Sequence, residues 1–106
     1  MANRHEVLGN ICTDIELRKA GEKSVVNIRI ATREWGGKSE FHAVTLWGND
    51  AEFAAKYCRK GMKVYAAGPV KTSEYEKEGV TVQKREIQAR EFEIAERKQQ
   101  DDNDGF

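Results

Sequence analysis

The chain has 106 residues, 34% of them charged and 39% hydrophobic, which suits one domain with a single modest core. No stretch approaches the roughly 20 apolar residues that cross a bilayer, and Met1-Ala2-Asn3-Arg4-His5-Glu6 lacks the apolar run of a secretory signal. Cys12 and Cys58 are too few and too far apart for a disulfide framework or a zinc ligand set, so a reduced, cytoplasmic setting is expected.

Formal net charge is zero, but it is unevenly spread. All 18 Lys and Arg precede residue 99, while three of the 18 acids (Asp101, Asp102 and Asp104) lie beyond it, leaving a body of +3 and a tail of −3. A charge asymmetry of this kind marks a tail with its own task. The division predicted is a body over residues 1–96 and a short acidic tail over 97–106. A body charge of +3 is a weak footprint for a polyanion, so any such partner must meet a local patch.

In chain order, residues 5–12 predict a first strand with a bend at Gly9. Residues 14–18 alternate as its continuation, and Ala20-Gly21-Glu22-Lys23 predicts a turn. Residues 24–33 give the clearest strand, with Val26, Ile28 and Ile30 on one face and Asn27, Arg29 and Arg33 on the other. Gly36-Gly37 predicts a hairpin loop into a strand over 39–47. Asn49 is then a candidate helix N-cap with Glu52 in the reciprocal capping-box position. Ala51, Ala54, Ala55 and Cys58 form an apolar stripe, and Gly61 suits the residue of positive φ near a helix end. A strand over 62–72, interrupted at Gly68-Pro69, a turn over Glu76-Lys77-Glu78-Gly79 and a strand over 80–94 complete the body. Gln99 to Phe106 is polar and acidic enough to predict disorder.

The strand 39–47 carries the functional signal. Alternation groups His42, Val44 and Leu46 on one side and Phe41, Thr45 and Trp47 on the other. The aliphatic side is the natural core face, which leaves two large aromatic rings outside, with Trp35 just before them. Rings bared on a sheet fit a flat partner, and every nucleobase has a π-face.

Three strands, a helix and two strands is the order of the OB-fold, and the chain resembles that class. The predicted fold is all-β: a five-stranded OB-fold barrel with one helix after the third strand and a disordered acidic tail. Within it the sequence resembles the bacterial-type single-stranded DNA-binding proteins over roughly residues 3–95. The residues that carry this are Leu8-Gly9-Asn10, Asp14-Ile15-Glu16-Leu17-Arg18, Val26-Asn27-Ile28 with Ile30-Ala31-Thr32, Phe41-His42, Leu46-Trp47-Gly48, and Tyr57-Cys58-Arg59-Lys60-Gly61 before Val64-Tyr65 and Gly68. The last six residues, Asp101-Asp102-Asn103-Asp104-Gly105-Phe106, resemble the family's acidic tip, with Gly105 where proline is usual and with a far shorter linker before it.

The resemblance implies base stacking on Trp35, Phe41, Trp47 and Tyr75, and phosphate contacts from Arg29, Arg33, Lys38, Lys60 and Lys71. Lys84 and Arg85 are lesser candidates, since neighbours on a strand point opposite ways. It also implies a homotetramer with His42 near subunit contacts. Replication or repair proteins would dock on the tip residues Asp101, Asp102, Asp104 and Phe106. Glu74 and Asn49 stand where the family tends to be basic, which predicts weaker binding than its norm. The sequence contains no phosphate-cradling glycine loop, His-Glu-x-x-His or Cys-x-x-Cys, so no catalysis, cofactor, metal or membrane partner is expected. Two alternatives remain at this point: an OB-fold adaptor acting through the tip, and an OB-fold binder of RNA or oligosaccharide.

Overall fold

The computed structural model describes residues 2–95. Eight strand segments and one helix build it: β1 (His5–Ile11), β2 (Arg18–Ala20), β3 (Lys23–Arg33), β4 (Ser39–Trp47), α1 (Asn49–Tyr57), β5 (Lys63–Gly68), β6 (Val70–Lys77), β7 (Val80–Gln88) and β8 (Glu91–Ile94). They join one sheet in the order β6-β7-β4-β3-β1-β5-β8, with β2 added to β3. All pairings are antiparallel except β4 with β7, which run parallel.

The fold is the expected all-β, OB-like one, but the five strands of the sequence pattern appear as eight segments, and the end strands β6 and β8 do not pair to close the predicted barrel. Pro69 separates β5 from β6, since it has no N–H to give the ladder; its carbonyl still accepts the Gln88 N–H at 2.8 Å. Ala89 and Arg90 separate β7 from β8, and their N–H groups turn to the carbonyls of Thr45 (3.0 Å) and Ala67 (2.7 Å). Each long strand thereby serves both halves of the sheet, which is how the sheet curls around a core.

Close backbone approach explains two glycines. A Cβ at Gly9 would collide with the carbonyl oxygen of Ala31, and one at Gly68 with that of Gln88. Both sit where two backbones pass too closely for a side chain, and β1 runs unbroken through Gly9, which marks a close approach rather than an interruption.

Residues 14–17 form no strand; pairing resumes only at Arg18 and runs with Val25, Ser24 and Lys23. Alternation of Ile15 and Leu17 was a sound pattern with no neighbouring strand to pair with. The later turn is tighter than expected: β6 continues to Lys77, and Glu78 and Gly79 at positive φ make the reversal.

Val26, Ile28, Ile30, Val44, Leu46, Val64 and Ala66 fill the interior, and α1 closes one end of it with Ala51, Ala54 and Cys58. The capping-box expectation fails. Gly48, at φ 60 and ψ −126, precedes the helix, and no side chain caps it. Asn49 already lies inside the first turn, and Glu52 instead accepts a hydrogen bond from Ser24 Oγ at 2.8 Å, tying α1 to β3. Ala55 is exposed rather than part of the buried stripe. Phe53 reaches the core edge, its ring 6.3 Å from that of Phe92. Gly61 does take positive φ, beyond the helix, and its N–H donates to the Ile11 carbonyl at 2.7 Å.

Arg4 clamps the N-terminal segment to β8. Its guanidinium makes two hydrogen bonds to Glu91, at 3.0 and 3.1 Å, and one to Glu6 at 3.1 Å. The bonds from Arg4, and then its charge, hold the Glu91 carboxyl below the usual carboxylate range. Of the two cysteines, Cys58 is buried and Cys12 half-buried. The expected boundary after residue 96 and the tip residues Asp101, Asp102, Asp104 and Phe106 lie outside the described residues.

Candidate nucleic-acid interface

Register decides which side chains share a face, because residues directly opposite on a ladder point the same way. Between β3 and β4 the pairs are Val25–Trp47, Asn27–Thr45, Arg29–Ala43, Ala31–Phe41 and Arg33–Ser39. Trp47 and Phe41 therefore stand on the side of Asn27, Arg29 and Arg33, away from the core. The parallel pair Thr45–Gln88 carries that face onto β7, where alternation adds Glu86, Lys84 and Val82. The pairs Lys71–Glu86, Ser73–Lys84 and Tyr75–Val82 carry it onto β6. Three of the four rings and three of the five cations expected from the sequence thus share one face across four strands.

The rings are open to solvent. Trp35 is 99% exposed, Phe41 55%, Tyr75 49% and Trp47 40%, whereas Val44 and Leu46 on the other side of β4 are at 1% and 0%. Fully burying such a side chain is worth roughly 1.5–3 kcal/mol, so the free protein forgoes a share of that at each ring, the largest at Trp35. Trp47 is oriented as well as exposed: its indole Nε1–H donates to Gln88 Oε1 at 2.8 Å. Trp35 lies apart in a single 3-10 turn, Trp35–Gly37, which joins β3 to β4 with Gly36 and Gly37 at φ near 85°. Arg33 and Lys38 flank it and are exposed.

Adjoining hollows furrow the outward face. One of about 240 Å³ lies between Thr13, Arg29 and Lys84. A second, of about 380 Å³, shares Asn27, Thr45, Lys84 and Glu86 with it and reaches Arg18, Lys19 and Trp47. A third, of about 750 Å³, continues from Trp47 and Gln88 to Lys71, Thr72 and Arg90. Together they make a furrow with a ring at its centre and cations along it, the layout that a single strand needs for stacking and charge neutralisation.

Some cations were not foreseen. Arg18 and Lys19 reach the furrow because β2 is a separate short strand beside β3, and Arg90 because the strand is interrupted at Ala89 and Arg90. The register pair Arg18–Val25, followed by Val25–Trp47, is the signal that places Arg18, and it exists only once the strands are paired. Lys84 lies on the furrow side and Arg85 on the other, as their adjacency required. Lys60 lies in the turn between α1 and β5, exposed, and lines none of these hollows.

One electrostatic expectation changes. Glu74 pairs with Gln83 on the face opposite Tyr75, and receives a hydrogen bond from Gln83 at 3.4 Å, so it does not weaken the ring's surroundings. The acid that does enter the furrow is Glu86, bonded to Thr45 Oγ1 and 3.9 Å from Lys84 Nζ. His42 is half-buried on the core side of β4, opposite Ile30. Thr32 Oγ1 gives its proton to Glu34 at 3.0 Å, so at 3.0 Å it accepts from His42 Nε2.

A family model described as the single-strand binding protein family matches residues 2–95. The chain belongs to that family. The protein is accordingly a single-stranded DNA-binding protein with an OB-fold, and the family is a non-catalytic, DNA-binding one. The matched span is the whole described body, including every strand of the furrow.

Proposed function

We propose that this member of the family coats exposed single strands without sequence preference, and so protects them during DNA replication, recombination and repair. Trp35, Phe41, Trp47 and Tyr75 act as stacking platforms, and Arg29, Arg33, Lys38 and Lys71 meet the phosphates. Stacking of this kind is worth about 1–3 kcal/mol per base and accepts any base, a magnitude taken from single-stranded DNA-binding OB-folds themselves. The observation that carries this reading is the shared outward face: Phe41, Trp47 and Tyr75 stand with Arg29 and Lys71 on four neighbouring strands.

Lys60, away from the furrow, meets the strand only where it wraps past α1. One such domain gives a short footprint, and a homotetramer with His42 near a subunit contact joins several into a continuous path through effective concentration. The work is binding alone, with no catalysis and no cofactor, in the cytoplasm on the nucleoid. The tip, through Asp101, Asp102, Asp104 and Phe106, recruits replication or repair proteins within the reach of a short tether.

Titration with oligo-dT at low salt tests the reading. Saturation is expected to quench Trp35 and Trp47 fluorescence; an unquenched signal would refute stacking. Competition by oligo-U and glycans separates DNA from the other OB-fold ligands. Light scattering with oligo-dT of graded length reads the assembly.

A further inference from the structure

Glu86 is out of place in a furrow that meets polyanions. It lies on the outward face, directly across the β6–β7 ladder from Lys71 and two residues from Lys84 on its own strand. Its side chain is only 17% exposed. It lines both the hollow beside Arg29 and the hollow beside Trp47. A half-hidden carboxylate persists only where it is partnered, and here the partners are specific. Thr45 has one hydroxyl proton and two acceptors in reach, Asn27 Oδ1 at 2.9 Å and Glu86 Oε2; the charged acceptor is the stronger and takes it. The other carboxylate oxygen faces Lys84 Nζ at 3.9 Å.

We propose that Glu86 is a built-in competitor for phosphate: a fixed counter-ion that neutralises Lys84, and shares the field of Lys71, until a DNA strand displaces it. The idea rests on the furrow being the DNA path. Thr45, on the same outward face, holds the carboxylate beside Lys84, and an arriving phosphate must take Lys84 from it against like-charge repulsion. The ions released on binding are those condensed on the strand, a share for each phosphate neutralised, and a lysine whose charge Glu86 already offsets neutralises little phosphate, so Lys84 adds little to the salt dependence of binding. Glu86 therefore lowers affinity and flattens the salt response together. That combination suits a coat which must be shed as readily as it forms.

Glu86→Gln separates charge from hydrogen bonding, because an amide oxygen still accepts from Thr45. With oligo-dT, E86Q is expected to bind roughly three- to tenfold tighter at low salt. Its log–log salt slope should be steeper by about 0.7, the share of one freed cation on a single strand. Adding Lys84→Met to E86Q should abolish both gains. In the unaltered protein, the side-chain carboxyl carbon resonance of Glu86 should shift as oligo-dT saturates the furrow, a readout that needs no variant to fold. Unchanged or weaker affinity in a normally folded E86Q, or a Glu86 resonance that stays still while Trp47 is quenched, overturns the competitor and leaves the stacking platform standing. Absent quenching in the unaltered protein overturns the platform itself.

Discussion

The two faces of the β3–β4 ladder are made by the same residues' backbone and do opposite work. On the inner side Val26, Ile28, Val44 and Leu46 are sealed from water; on the outer side Phe41 and Trp47 are about half open beside Arg29. One pleat separates them, so a one-residue change of register would exchange core and platform. Stability and binding are written on alternate residues of the same strands, and substitutions should separate them cleanly.

The largest effect belongs to the inner face. Leu46→Ala removes a fully buried side chain and should cost about 2–5 kcal/mol in a denaturant unfolding experiment. Oligo-dT affinity of the remaining folded fraction should be little changed. Next comes the outer face: Trp47→Ala should lose about 1–3 kcal/mol of oligo-dT binding, with a smaller change in the unfolding midpoint than Leu46→Ala. Were Trp47→Ala to unfold the protein and spare binding, the two-face division would be wrong.

A smaller effect is expected of Arg29→Ala, which should reduce the log–log salt slope by about 0.7 through loss of one phosphate contact and leave thermal stability close to that of the parent. The smallest prediction lies on the far side of the sheet. The Glu91 carboxyl is held below its ordinary value by Arg4, so the pair's contribution is complete above the unfolded-state value and lost as pH falls through the folded one. Glu91→Gln should therefore lower the melting temperature slightly at neutral pH, and the difference from the parent should fade in acid. Oligo-dT binding should not respond, because the clamp lies outside the furrow.

Much of this was legible in the residues. Strict alternation with a β-branched inner set defined the strands over 24–33 and 39–47, and the latter begins and ends as expected at Ser39 and Trp47. The outward placement of Phe41 and Trp47 followed from the same period of two. What the sequence hid was pairing. Thr45 on the outer side looked exposed, yet it is 3% accessible because β7 comes alongside in parallel and covers it with Glu86. Parallel partners are far apart in sequence and leave no local mark. The same blindness concealed Arg18, Arg90 and the role of Gln88 in holding Trp47. The helix start differs from its expectation for another reason. Asn49 and Glu52 have capping-box spacing, but Gly48 makes the sharp entry on its own, and Ser24 engages Glu52 instead.

The most direct test is a map of intermolecular proton contacts between oligo-dT and the protein by nuclear magnetic resonance. Thymine base protons are expected against the rings of Trp47, Phe41 and Tyr75, with Arg29 and Lys71 perturbed beside them. Base contacts confined to the β1–β5–β8 side, with those rings untouched at saturation, would contradict the account.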